Sequence, residues 1–308
     1  MGRINERTGA ATILLAGVVF SFGPLVFRGK SDDTDEWQFL FYRGVTLLIV
    51  IGAVFVAQHG RRTLDVIKVD IARAALAGAL LAGMFTSFII AIARIDAATT
   101  LFLQSLAPFS AALIGWLVLR ERVDLTTWVA MCLAVTGVIV MGSSWDTSDA
   151  VGIGVALVIP LLFGGYSVLL RDPRGRDPLA PILAAALFGS VAGLVVSLSG
   201  PGLAVPWNDV LMGSISGGLL LGLGIPLMNR AGEFVPPART TLLLMTEIVL
   251  APVWVWIFVD EDPAPATLAG GAIILAALVW LAIRPASATS SVAVAAVSEA
   301  APAAEGGS

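Results

Sequence analysis

Long apolar runs, broken by short polar turns, organise this chain from residue 9 to residue 283. About 30 Å of hydrocarbon takes roughly 20 apolar residues to cross as a helix. Runs of that length recur at 9–28, 37–58, 71–93, 97–119, 124–142, 151–170, 179–199, 208–229, 236–259 and 265–283. The pattern predicts ten transmembrane helices, the third and fourth separated only by "RID" at 94–96. Pro24, Pro108, Pro160, Pro226 and Pro252 fall inside runs. Each frees a backbone carbonyl and favours a kink, which membrane helices tolerate. Arg3 and Arg7 precede the first run as they would a signal peptide, but the run is long and leads into "RGKSDD" with no cleavage site, so it reads as a retained span. Residues 285–308, rich in Ala, Ser and Pro, read as a disordered tail.

Composition agrees with the pattern. The 308 residues are 57% hydrophobic and 13% charged, against about 25% charged in soluble domains. Charge placement then sets orientation. If the N-terminus is cytoplasmic, fourteen of the 18 Lys and Arg, from Arg3 and Arg7 through Arg61, Arg62 and Arg73 to Arg230, Arg239 and Arg284, fall at the cytoplasmic ends. The other side receives Arg28, Lys30 and Arg94, and Arg43 is left within a helix. Basic residues favour the cytoplasm, so both termini are expected there. One cysteine, Cys132, and one histidine, His59, leave no material for a disulfide, a histidine metal cluster or a buried Ser-His-Asp triad. No glycine-rich segment ends in Gly-Lys-Ser/Thr, so no phosphate loop is expected. No cofactor, metal or nucleic acid is implied. The expected partners are a small-molecule substrate and the lipid bilayer.

Few polar groups remain deep in the runs. Glu247 is the only charge between Thr240 and Val259 and lies on the order of 16 Å from the start of its helix at 1.5 Å per residue, near the midplane. Arg43 lies roughly 9 Å below the opposite interface by the same arithmetic. An intramembrane charge costs at least about 2.5–3.5 kcal/mol, so both should face a cavity or the bundle interior. Glu247 suits a proton-coupling or substrate-amine site, and Arg43 a fixed cation that orients carboxylates. The alternative is a structural Arg43–Glu247 pair. Gln104 can donate and accept. Thr100 shares a helix face with Gln104, and Thr240 nearly shares one with Glu247. Phe20 and Tyr166 are candidates to line the same cavity.

The two halves look related. With a shift of 140 residues, "ATTLFLQSLAPFSAALIGWLVLRE" (98–121) lies over "ARTTLLLMTEIVLAPVWVWIFVDE" (238–261). "FSFGPLVFR" (20–28) likewise resembles "FGGYSVLLR" (163–171). A repeat of five helices is odd, so the second copy enters the membrane inverted, as in many secondary transporters. With "FYRG" early in the second helix, these motifs resemble the EamA-type family of the drug/metabolite transporter superfamily over about residues 9–284. Many members have Glu-Pro where this chain has Glu247-Ile248, with the proline displaced to Pro252. The resemblance implies a small-metabolite carrier, often an exporter, in the bacterial cytoplasmic membrane.

The expected fold is therefore an all-α integral membrane protein of ten transmembrane helices in two inverted repeats, 9–142 and 151–284, between a short N-terminus (1–8) and the tail. The expected function is secondary active export of small metabolites such as amino acids, by alternating access around a midplane cavity, coupled to protons or running as exchange. A passive channel is the alternative. A membrane-embedded enzyme is disfavoured, because no intramembrane Asp pair or nucleophile elbow is found.

Overall fold

The computed structural model describes residues 6–69, 71–120, 123–145, 147–170, 177–232, 234–235 and 237–283. The expected tail, 285–308, lies outside these. Among the described residues the regular structure is all helical. The elements are α1 (Glu6–Ser21), α2 (Gly23–Arg28), α3 (Glu36–His59), α4 (Thr63–Val69), α5 (Ile71–Ile92), α6 (Ala97–Gln104), α7 (Ala107–Leu119), α8 (Leu125–Gly142), α9 (Ala150–Leu170), α10 (Leu179–Ser199), α11 (Trp207–Ser214), α12 (Gly222–Gly232), α13 (Pro237–Val259) and α14 (Pro265–Ile283). Nine segments among the described residues are long and apolar enough to cross a membrane, and Leu243–Val259 is a shorter apolar helix.

Aspartates set where several helices begin. Asp35 accepts from Trp37 N–H at 2.7 Å while Gln38 Oε1 accepts from Asp35 N–H at 2.9 Å, a reciprocal cap on α3. Asp96 caps α6 through Thr99 N–H at 2.7 Å, and Asp124 caps α8 through Thr127 N–H at 3.0 Å. Each such cap contributes about 1 kcal/mol and turns the chain sharply back into the bundle.

Three expected spans are interrupted. Phe22 separates α1 from α2, and Ser105–Leu106 separates α6 from α7. Pro24 and Pro108 stand at the starts of the second pieces, where a missing N–H costs least. Between α11 and α12, residues Ile215–Leu221 form a π-helical stretch, a widened turn frequent at functional sites.

Packing joins distant parts of the chain. Helix α3 packs on α10 and on the α11–π segment, α8 on α14, α5 on α9 and α10, α7 on α9, and α1 on α12 and α13. The α8–α14 contact is backbone to backbone: a Cβ on Gly270 would lie 2.3 Å from the Gly137 carbonyl oxygen. Small residues permit such approach, and in lipid it is dispersion rather than hydrophobic transfer that holds it. The outer surface carries exposed Leu15, Val135, Ile139, Leu198 and Val279, as lipid contact requires.

The ends of the bundle are tied by polar groups. One end holds Arg28, Glu36, Arg94, Asp209 and Glu261 in mutual contacts with the turns there. At the other, His59 Nε2 meets Asp177 Oδ2 at 2.9 Å, and Arg73 donates to the Leu169 carbonyl.

Candidate functional site

The proline breaks have a common consequence. Proline at position i removes the donor for the carbonyl at i−4. Pro24, Pro108 and Pro252 therefore leave Phe20, Gln104 and Ile248 without their usual helical donors, and all three residues line one cavity of about 340 Å³. That is within the roughly 300–1,000 Å³ of small-molecule sites. Its walls come from α1, α2, α3, α5, α6, α7, α9, α10, the π stretch, α12, α13 and α14. They are mostly apolar, with Met84, Phe85, Phe88, Phe163, Met228 and Met245 prominent.

Arg43 and Glu247 face each other's space without pairing. Arg43 is buried, 7% exposed, and its Nε and Nη1 have no hydrogen-bond partner among the described residues. Its guanidinium lies over the Phe85 ring, 5.2 Å from the centroid. A cation–π contact of this kind is worth about 0.5–2 kcal/mol, less than the cost of an unsatisfied buried guanidinium. Glu247 lines the same cavity, half-buried. No ion pair joins the two among the described residues.

Local packing holds the Arg43 backbone closely. The π stretch lies against its backbone so closely that a Cβ on Gly217 would sit 1.9 Å from the Arg43 carbonyl oxygen. Thr46 Oγ1 donates to the Tyr42 and Arg43 carbonyls at 2.8 and 3.1 Å.

Of the other residues expected at the site, Gln104, Phe20 and Tyr166 line the cavity. Thr100 and Thr240 do not. Thr100 is fully buried and its hydroxyl donates to the Asp96 carbonyl of its own helix at 3.1 Å. Thr240 is 1% exposed and lies a turn and more from the lining residues of α13. For Thr100 a shared helix face is not enough, because α6 is buried at every residue from Ala97 to Leu103. Asn229, Ser216 and Ser105 also line the cavity. Ser105 Oγ is spent on the Phe102 carbonyl at 2.6 Å. Asn229, beside Arg230 near the end of α12, was not among the residues expected there.

No cluster of three or more His, Cys, Asp or Glu suited to a metal is found among the described residues.

Comparison with known proteins bears on what such a cavity serves. Residues 7–143 match the EamA-like transporter family. The match bears out the resemblance read from the sequence over the first half of the chain. The pseudopaline exporter CntI of Pseudomonas aeruginosa is 25% identical over 288 residues, covering 89% of this chain and 96% of that protein. An uncharacterized transporter of Helicobacter pylori is 25% identical over 190 residues, 61% of this chain and 63% of that one. A crystal structure of a protein with 14% sequence identity superposes with a TM-score of 0.60, over 89% of this chain and 96% of the other, which speaks for the fold alone. The family and relatives are membrane transporters rather than enzymes.

Proposed function

We propose that this protein is a secondary active exporter of small metabolites such as amino acids, working by alternating access around the Arg43–Glu247 cavity. The observation that carries this reading is the two opposite charges lining one chamber with no ion pair to either among the described residues. A guanidinium offers a planar fork for a carboxylate, and a carboxylate on the same chamber accepts an ammonium group or a coupling proton. The cavity reaches Leu170, Pro178 and Asn229 at the His59–Asp177 end of the bundle, which the arginine bias assigns to the cytoplasm. Export from that side fits, and the exporter among the relatives supports the direction.

The packing supports ten spans in two inverted repeats, 9–142 and 151–284. Let α1–α2 be span one, α6–α7 span four, α11–α12 span eight, and the long helices the rest in order. The pairs 2–7 and 5–10 map onto themselves when five is added or subtracted. Pairs 3–6, 4–6 and 3–7 map onto 8–1, 9–1 and 8–2, all of which are in contact. A duplicated five-span unit generates this pattern, and its odd number inverts the second copy. Both termini are then cytoplasmic in a bacterial inner-membrane protein.

The test is counterflow in proteoliposomes, after a metabolite panel has been screened for thermal stabilisation of the purified protein. Saturable counterflow of a stabilising carboxylated solute is expected, with loss on Arg43→Gln. Linear, unsaturable flux would indicate a channel instead.

A further inference from the structure

Two layers close the bundle at the end opposite Leu170, Pro178 and Asn229. The first is apolar: Phe27, Phe39, Ile89, Ile92 and Val255 belong to one buried cluster, with the Phe27 and Phe39 rings edge to face at 5.1 Å. The second is ionic. Arg28, the last residue of α2, has Nε 2.8 Å from Glu261 Oε2, and its Nη2 donates to the Ile95 carbonyl at 3.1 Å. Glu261, just beyond α13, uses its other oxygen to accept from Ala97 N–H at 2.6 Å. The turn between α5 and α6 is thus clasped by a cation from the first helical pair and an anion from the far end of the chain. Arg94 on that same turn meets Glu36 Oε1 at 2.7 Å. Outside this layer lies a vestibule of about 420 Å³, lined by Arg28, Arg94, Asp96, Asp149, Trp145 and Glu261.

We infer that Arg28 and Glu261, through their shared hold on residues 95–97, form the outer gate of the transport cycle. This rests on the transport reading, because only a carrier needs the chamber to open alternately at this end. Three features suit a gate better than a static strut. The side chains are 22% and 21% exposed, so water replaces the partner when they separate. Arg28 Nε sits within ion-pair distance but is not aimed for a hydrogen bond, so little directional energy opposes parting. The three tied segments flank the cavity: α2 supplies Pro24 to its wall, α5 supplies Phe88 and Ile89, and α13 supplies Glu247 and Ile248. Separating them opens the chamber where it is now shut. With each side chain only about a fifth exposed, the pair biases the closed state by about fivefold or more, a bias that a substrate's differential affinity overcomes.

The experiment reads access rather than flux. In a Cys132→Ser background, Ser216→Cys places a thiol on the chamber wall. Its reaction with a membrane-impermeant maleimide is timed from each face of oriented proteoliposomes. Arg28→Gln and Glu261→Gln should each speed labelling from the vestibule side by about fivefold or more and slow it from the other. The double variant should label no faster than the faster single one, because the two share one interaction. Glu261→Gln retains an acceptor for Ala97 N–H and guards against a folding defect. Unchanged labelling in both single variants, multiplicative effects in the double variant, or equal acceleration from both faces overturns the gate. Counterflow is measured in the same vesicles. No flux with the labelling shift intact ends the transporter reading alone, and normal flux with unshifted labelling ends the gate alone.

Discussion

The guanidinium of Arg43 lies over the Phe85 ring at 5.2 Å, yet two of its nitrogens have no hydrogen-bond partner among the described residues. The ring fixes the plane of the cation and leaves its donors free for a ligand. Arg43→Lys preserves charge but removes the fork. It should weaken binding of a carboxylated substrate about tenfold or more, close to 1.4 kcal/mol, and leave uncharged analogues unaffected. Phe85→Leu, which keeps the fork but frees its plane, should show a smaller loss. Calorimetric titration with matched acid and amide ligands checks both.

Glu247 has no ion-pair partner to strand among the described residues. Removing one member of a buried ion pair costs about 3–5 kcal/mol, and no such loss is expected here. Glu247→Gln should keep or raise the thermal midpoint while abolishing gradient-driven accumulation. Adding Arg43→Gln should recover nothing in stability. A double-mutant cycle in melting temperature and in flux separates this from a structural pair, whose signature is a destabilised single variant rescued by the double.

Asp209 is fully buried, and its carboxylate accepts from the Ser31 N–H at 3.0 Å and from the Ser31 and Thr34 hydroxyls. It pins the turn that follows α2 to the start of α11. Asp209→Asn replaces one acceptor oxygen with a donor, so the Ser31 and Thr34 hydroxyls must turn from donating to accepting and the charge that strengthened their bonds is lost. A loss of about 1–3 kcal/mol is expected, read as a lower melting temperature in detergent with little change in ligand affinity.

Gly217 and Gly218 should respond differently to the same added methyl. At Gly217 a Cβ would press on the Arg43 carbonyl at 1.9 Å, a backbone atom with no freedom to move aside. At Gly218 it would meet the Thr46 Cβ at 3.4 Å, an ordinary contact. Gly217→Ala should cost about 1–3 kcal/mol and impair transport by displacing Arg43. Gly218→Ala should leave both unchanged. Thermal denaturation and counterflow on the two variants test the contrast.

Much of this was legible in the chain because lipid makes one demand above others: every buried backbone must be helical and every charge accounted for. The span limits read from apolar runs agree with the helix ends to within a few residues. Arg43, Glu247 and Gln104 stood out as polar side chains in apolar surroundings, and they meet in one cavity. Phe20 and Tyr166 were reached through the pseudo-equivalence of their helices. What escaped was what depends on tertiary closure. Arg28 and Glu261 lie 233 positions apart and read as ordinary boundary charges. Asp209 and Asn229 fall near span ends, where polar residues are expected anyway. Thr100 and Thr240 show the converse error: a helical periodicity says which face a residue is on, not what covers that face. The prolines predicted kinks, but the complete breaks at Phe22 and Ser105–Leu106 and the π stretch follow from how the pieces pack.

The three wall positions before Pro24, Pro108 and Pro252 carry a mechanical meaning. An α-helix resists bending because a bend stretches the i to i−4 bonds on its convex side. At Phe20, Gln104 and Ile248 that bond does not exist, so a change of helix angle there has one bond fewer to stretch. All three missing bonds lie at the level of the chamber, while the starts of α3, α6 and α8 are held by side-chain caps. Bending at the chamber wall therefore meets less resistance than bending elsewhere along these helices, and a change in chamber shape asks for fewer backbone bonds to break.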